Sequence, residues 1–138
     1  MSEIHVSITV TNLLGDHNTK LELDEARVDT GASDMLTLTE EDYKALGAVT
    51  GPRWIRAVHL ADGTVLADGA FMEGPYLIHV EDFEPFGGDI MFIRAPGPEF
   101  EPLLGHVSME QAGLMVDMKH GTLRPIEAVN LRGYRRRS

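Results

Sequence analysis

Val28-Asp29-Thr30-Gly31-Ala32-Ser33 is the stretch whose reading decides how this chain folds. An apolar, β-favouring run ends on a carboxylate, and a small Thr-Gly pair then turns the chain away. Each residue type has a physical reason to be there. A strand end holds Asp29 rigidly and aims it into the space beyond the sheet. Gly31 lets the backbone leave the strand where a Cβ would clash. The Thr30 hydroxyl both donates and accepts, so it can lock the loop from beneath. A plainer reading fits the same residues: Asp at a strand end before Thr-Gly is also ordinary Asx-turn chemistry.

Upstream of this stretch, Ile4–Val10 alternates apolar and polar residues, as a half-buried strand does. Gly15-Asp16-His17-Asn18 is a turn cluster leading into a strand at Lys20–Leu23, and a separate strand at Ala26–Val28 delivers Asp29. Downstream, Leu36 and Leu38 alternate away from the loop. Thr39-Glu40-Glu41-Asp42 reads as a capping box opening a short helix, with Tyr43 and Leu46 inward and a stop at Gly47. Trp54–Leu60 and Val65–Met72 are the arms of a hairpin around Ala61-Asp62-Gly63-Thr64, since Asp-Gly is a strong hairpin-turn dipeptide.

Tyr76–Val80 and Ile90–Ile93 are further β-rich runs, joined by a surface loop, Glu81–Asp89, that holds Pro85 and Gly87-Gly88. Ala95-Pro96-Gly97-Pro98 excludes regular structure. After the apolar pair and glycine of Leu103-Leu104-Gly105, Ser108-Met109-Glu110-Gln111 reads as a second capping box, opening a helix that stops at Gly113. Leu114–Met118 and Thr122–Ile126 flank a Lys119-His120-Gly121 turn. Many short strands with one or two brief helices predict an all-β, barrel-like domain. The length, 138 residues, suits one domain, with a core over about 4–126 and a basic tail at 127–138.

Asp29-Thr30-Gly31, the Val58-His59-Leu60-Ala61-Asp62-Gly63 hairpin and Leu103-Leu104-Gly105 come in an order that resembles the retropepsin-like aspartic proteases. The likeness is greatest to the cellular and bacterial single-lobe members, and spans roughly Ile4 to Ile126. It implies a small closed barrel with a flap hairpin and an endopeptidase activity. Two-lobed relatives carry two such loops in one chain. This chain carries one, so the resemblance implies a homodimer with Asp29 of each copy at the two-fold axis.

By the same resemblance, Asp29, Thr30 and Gly31 form the catalytic loop: Thr30 bonds across the axis, and the Gly31 amide keeps Asp29 in plane. Ala32, Ser33, Ala61, Asp62 and Gly63 contact an extended peptide or protein substrate. Leu103, Leu104 and Gly105 support the loop. Retroviral members follow that glycine with an Arg that ties down an acid just past the loop. Here His106 and Ser33 stand at those positions, with a neutral His–Ser hydrogen bond as the substitute, and the flap tip carries a charge. These departures keep a second reading open, a retropepsin-fold dimerisation or peptide-binding module with little turnover. A third, from another class, is an acidic ligand-binding barrel in which Asp-Thr-Gly is coincidental.

Composition narrows the field further. A formal charge of −10 argues against nucleic acid as a partner, and the Arg132, Arg135, Arg136, Arg137 cluster reads as a solvated tail. The absence of cysteine removes disulfides and thiolate metal sites. No run reaches the length of a membrane span and no leader pattern opens the chain, so a cytoplasmic location without membrane contact is expected. His5, His17, His59, His79, His106 and His120 are scattered. His59 and His79 are candidates to face each other across strands, as surface neighbours rather than metal ligands. Met109, Met115 and Met118 read as core filler. No cofactor and no metal are expected.

Overall fold

The computed structural model describes residues 4–13, 19–29, 36–47, 54–59, 65–94, 100–117 and 119–126. In chain order the elements are β1 (His5–Thr11), β2 (Lys20–Asp29), β3 (Leu36–Thr39), α1 (Glu40–Ala45), β4 (Trp54–His59) and β5 (Val65–Val80). They continue with β6 (Phe86–Ile93), β7 (Leu103–Gly105), α2 (His106–Ala112), β8 (Leu114–Asp117) and β9 (Thr122–Pro125). The strand order is β1-β2-β7-β3-β6-β5-β4, and β1 also pairs with β5. That pairing closes the first six strands of this order into a barrel, leaving β4 outside it on β5. The fold is therefore all-β and barrel-like, as composition and pattern predict.

The barrel closes because alternation along β1 turns Val6, Ile8 and Val10 into one interior. Ile8–Thr11 pair with Leu77–Val80 of β5 on one side, and β2 covers the other. β3 is buried on both faces, through Leu36, Thr37 and Leu38. Phe71, Phe92, Tyr43 and Tyr76 fill the centre. Tyr43 meets Phe71 and Phe92 edge-on at 5.0 and 5.1 Å, while Phe71 stacks on Phe92 at 5.3 Å. These ring geometries stabilise beyond the area they bury.

Helix α1 begins as its sequence predicts. Thr39 Oγ1 accepts from the Asp42 amide at 3.1 Å, and Asp42 Oδ2 accepts from the Thr39 amide at 3.0 Å. Gly47, at φ +61°, ends it in a conformation that favours glycine. The buried Asn12 secures this end from the barrel, its Nδ2 donating to the Leu46 carbonyl at 3.0 Å.

Five local expectations are corrected. β2 is one strand from Lys20 to Asp29, not two. Its register against β1 shifts between Val6 and Ile8, so exposed Asp24 and Glu25 form a bulge that keeps Leu21, Leu23, Ala26 and Val28 on the inner side. β5 is also continuous, because Glu73-Gly74-Pro75 is absorbed by a second register shift instead of ending the strand. Gly87 and Gly88 belong to β6, paired with Leu77 and Tyr76, and not to a surface loop. A Cβ on Gly88 would stand 3.0 Å from Gln111 Oε1, so the absent side chain makes room for α2.

The second capping box is the fourth. α2 starts at His106 with Gly105 at its N-cap and no side-chain cap, which puts Ser108 inside the helix and fully buried. Its end at Gly113, φ +69°, follows the sequence reading. Met109 is buried beneath it, and Met118 lies outside the described residues. His59 and His79 do not face each other: in register His59 pairs with Val65 and His79 with Thr9. No helix among the described residues is long and apolar enough to cross a membrane.

Candidate active site

Asp29 is the last residue of β2, and its neighbourhood is built by a strand from far along the chain. β7 runs parallel to the end of β2, with Arg27, Val28 and Asp29 opposite Leu103, Leu104 and Gly105. It also pairs antiparallel with β3 at Thr37–Leu103. β7 therefore lies between the strand that enters the Asp29 loop and the strand that leaves it. The Arg27 amide donates to Pro102 O at 2.8 Å and the Val28 amide to Ile4 O at 2.9 Å, so β2 is hydrogen-bonded on both sides just before the carboxylate. Leu104 is fully buried, which anchors β7 in the core. The Asp29 side chain remains 38% exposed, enough for a second molecule to reach its oxygens.

Leu36, which opens β3, is tied to the same segment. The Leu36 amide donates to Ser108 Oγ at 2.7 Å in a buried setting. Ser108 follows Gly105 by three residues on α2. Thr30, Gly31, Ala32 and Ser33 lie outside the described residues, as do Ala61, Asp62 and Gly63, the expected flap tip. The arms that carry that tip are described: β4 and β5 form the expected hairpin, with His59 opposite Val65.

A charged row borders Asp29. Arg27 and Asp29 share a face of β2 by the two-residue period, with Arg27 Nη2 4.0 Å from Asp29 Oδ2. Arg27 Nε lies 3.4 Å from Glu101 Oε1, and His5 Nε2 lies 3.6 Å from Glu101 Oε2. All are about one-third exposed, where such pairs contribute roughly 0–1 kcal/mol each, so the row orients side chains more than it stabilises the barrel. His106 Nε2 is 2.7 Å from Glu110 Oε1 on its own helix. Among the described residues no group of three or more His, Cys, Asp or Glu is arranged to hold a metal ion.

Sequence reasoning missed Arg27, Glu101, His5 and Ser108. Only Arg27 carries a local signal, its spacing of two from Asp29. Glu101, His5 and Ser108 meet Arg27 and Leu36 through register and helix placement, which no short motif encodes. Comparison with protein-family models and with curated proteins returns no match to this chain.

Proposed function

We propose that the chain is a homodimeric aspartic endopeptidase of the retropepsin-like type, acting on peptide or protein substrates, with Asp29 of each copy as the catalytic pair. The observation that carries this reading is the position of β7 between β2 and β3, which holds an accessible carboxylate at the end of a rigid, doubly bonded strand. An Asx turn on an outer strand has no need of such a frame.

The chemistry follows from two carboxylates a hydrogen bond apart, which cannot both be ionised and so share a proton. The ionised one takes a proton from water as the water oxygen bonds to the peptide carbonyl carbon. The protonated one donates to the carbonyl oxygen, giving a tetrahedral diol. Proton transfer to the amide nitrogen then lets the C–N bond break, releasing an acid and an amine. In this reading Thr30 and Gly31 hold the pair in plane. Ala32 and Ser33 receive the extended substrate as an added strand. Ala61, Asp62 and Gly63 close over it and exclude water. The cysteine-free composition supports a cytoplasmic location as part of the same proposal.

The test is Asp29→Asn. An amide cannot act as the base, so hydrolysis of a peptide mixture is lost, while circular dichroism and sedimentation remain those of the wild type. Wild-type turnover in the purified variant, or a wild type that stays monomeric while active, overturns the reading. One observation favours a second reading, a peptide-binding module of this fold with little turnover: His106, which follows Gly105, is engaged by Glu110 on its own helix. A wild-type dimer that binds peptides and releases no products decides for that module.

A further inference from the structure

We propose that Ser108 is a positioning residue for Asp29, holding Leu36 at the start of β3 while Gly105 pairs with Asp29 at the end of β2. The catalytic resemblance assigns Ser108 nothing, and its sequence context suggests only a helix cap. Yet it is fully buried, inside α2, with its Oγ taking the Leu36 amide at 2.7 Å. A buried hydroxyl within a helix has no water to bond and needs a specific partner. Leu36 is also fully buried and opens β3, the strand that leaves the loop.

Its amide would otherwise be an orphan donor in the core. The partner that satisfies it stands three residues beyond the glycine that pairs with Asp29.

The consequence is mechanical. Asp29 and Leu36 are both attached to one continuous segment, Leu103 to Ser108. β7 and α2 join at Gly105 without an intervening loop, so the two attachments keep a fixed separation. Thr37 opposite Leu103 adds a second bond on the β3 side. Removing the Ser108 oxygen leaves Leu36 without that acceptor, and the start of β3 is then free to shift. A shift on the order of 1 Å at a catalytic group lowers turnover by about a hundredfold. Ser108 touches no substrate in this scheme and acts only through β3 and β7, which link Leu36 to Asp29.

The kinetic part rests on the endopeptidase reading of Asp29, so the test has two arms. The first is amide hydrogen exchange in the full-length protein. In Ser108→Ala the Leu36 amide exchanges about tenfold faster or more, while Leu38 and Ile90 in the core keep their wild-type protection. The second is peptide cleavage: kcat falls about 10- to 100-fold with KM nearly unchanged. Ser108→Thr, which keeps the acceptor oxygen, restores both. Should Ser108→Ala fail to fold, Ser108→Cys replaces it, since it fills the site but offers only a weak acceptor.

Unchanged Leu36 exchange overturns the tether. Fast Leu36 exchange with wild-type kcat overturns the positioning role. Exchange that rises equally across the core marks general destabilisation and also overturns it. A wild type that cleaves nothing overturns the endopeptidase reading, and the exchange arm still decides the tether.

Discussion

Gly74 and Gly87 are both glycines in paired strands, and the space around them differs sharply. A Cβ on Gly74 would lie 2.6 Å from Asp89 Oδ1, 2.9 Å from Asp89 Cα and 3.0 Å from Gly88 O. Two of those atoms are backbone of β6 and cannot rotate away. Gly74→Ala should therefore destabilise the protein by about 1–3 kcal/mol. Gly87→Ala, whose new methyl finds only Tyr76 O at 4.0 Å, should be close to neutral. Urea unfolding of the two variants side by side checks the contrast. Asp117 gives a residue-scale prediction in pH. The His120 side chain bonded to its Oδ2 at 2.8 Å, helped by the His120 and Lys119 amides, holds its carboxyl below the ordinary value of 3.8. A carboxyl depressed in the folded state contributes stability that is present above its unfolded value and lost as pH falls through the folded one. Asp117→Asn should therefore lose stability near neutrality and show a shallower fall in acid than the wild type. Urea midpoints measured across the acid range give the comparison, and parallel curves would refute it.

At the scale of elements, β2 shows what a bulge does for a site. Asp24 and Glu25 together oppose Ser7, and a bulge of this kind adds local right-handed twist to its strand. Deleting Glu25 leaves Ala26 opposite Val6 and keeps the inside-outside alternation, so the barrel should still melt cooperatively. The strand end should be re-aimed, and with it Asp29, lowering the proposed peptide cleavage by about tenfold or more. A deletion variant that is folded and fully active would show that the bulge does not aim the site. The same bulge explains a limit of reading the sequence. Two adjacent acids break the two-residue period, so β2 looks like two strands. Glu73-Gly74-Pro75 hides the continuity of β5 in the same way, because Gly and Pro ordinarily punctuate strands. Helix α1 is legible because its start is chemistry between residues three apart, Thr39 and Asp42. Helix α2 has no such cap, and Ser108, which looks like one, is committed to Leu36. The Asp-Thr-Gly stretch can be picked out by eye. The frame around it cannot, since the pairing of Asp29 with Gly105 is a matter of register between distant segments.

For the whole molecule, charge sets the terms of association. The chain carries 22 acidic side chains against 12 basic ones, so two copies repel at neutral pH. Added salt screens that repulsion, with a Debye length near 10 Å at about 0.1 M and about 3 Å at 1 M. The dimer proposed above should therefore tighten with salt, and specific activity at low protein concentration should rise in step. Sedimentation equilibrium at low and high salt tests this, and a dimer that weakens with salt would mean that attraction between charges holds it. One further consequence concerns time. Ribosomes make a chain from its N-terminus, so Asp29 emerges long before Leu103, Leu104 and Gly105. Until β7 arrives, β2 and β3 lack the strand between them, and the barrel is open at that seam. Closing it joins segments far apart in the chain, a late step because the entropy of loop closure is lost before the contact is gained. The carboxylate thus leaves the ribosome well before the strand that frames it. A nascent or prematurely terminated chain that stops short of β7 carries Asp29 without the frame that the proposed catalysis requires.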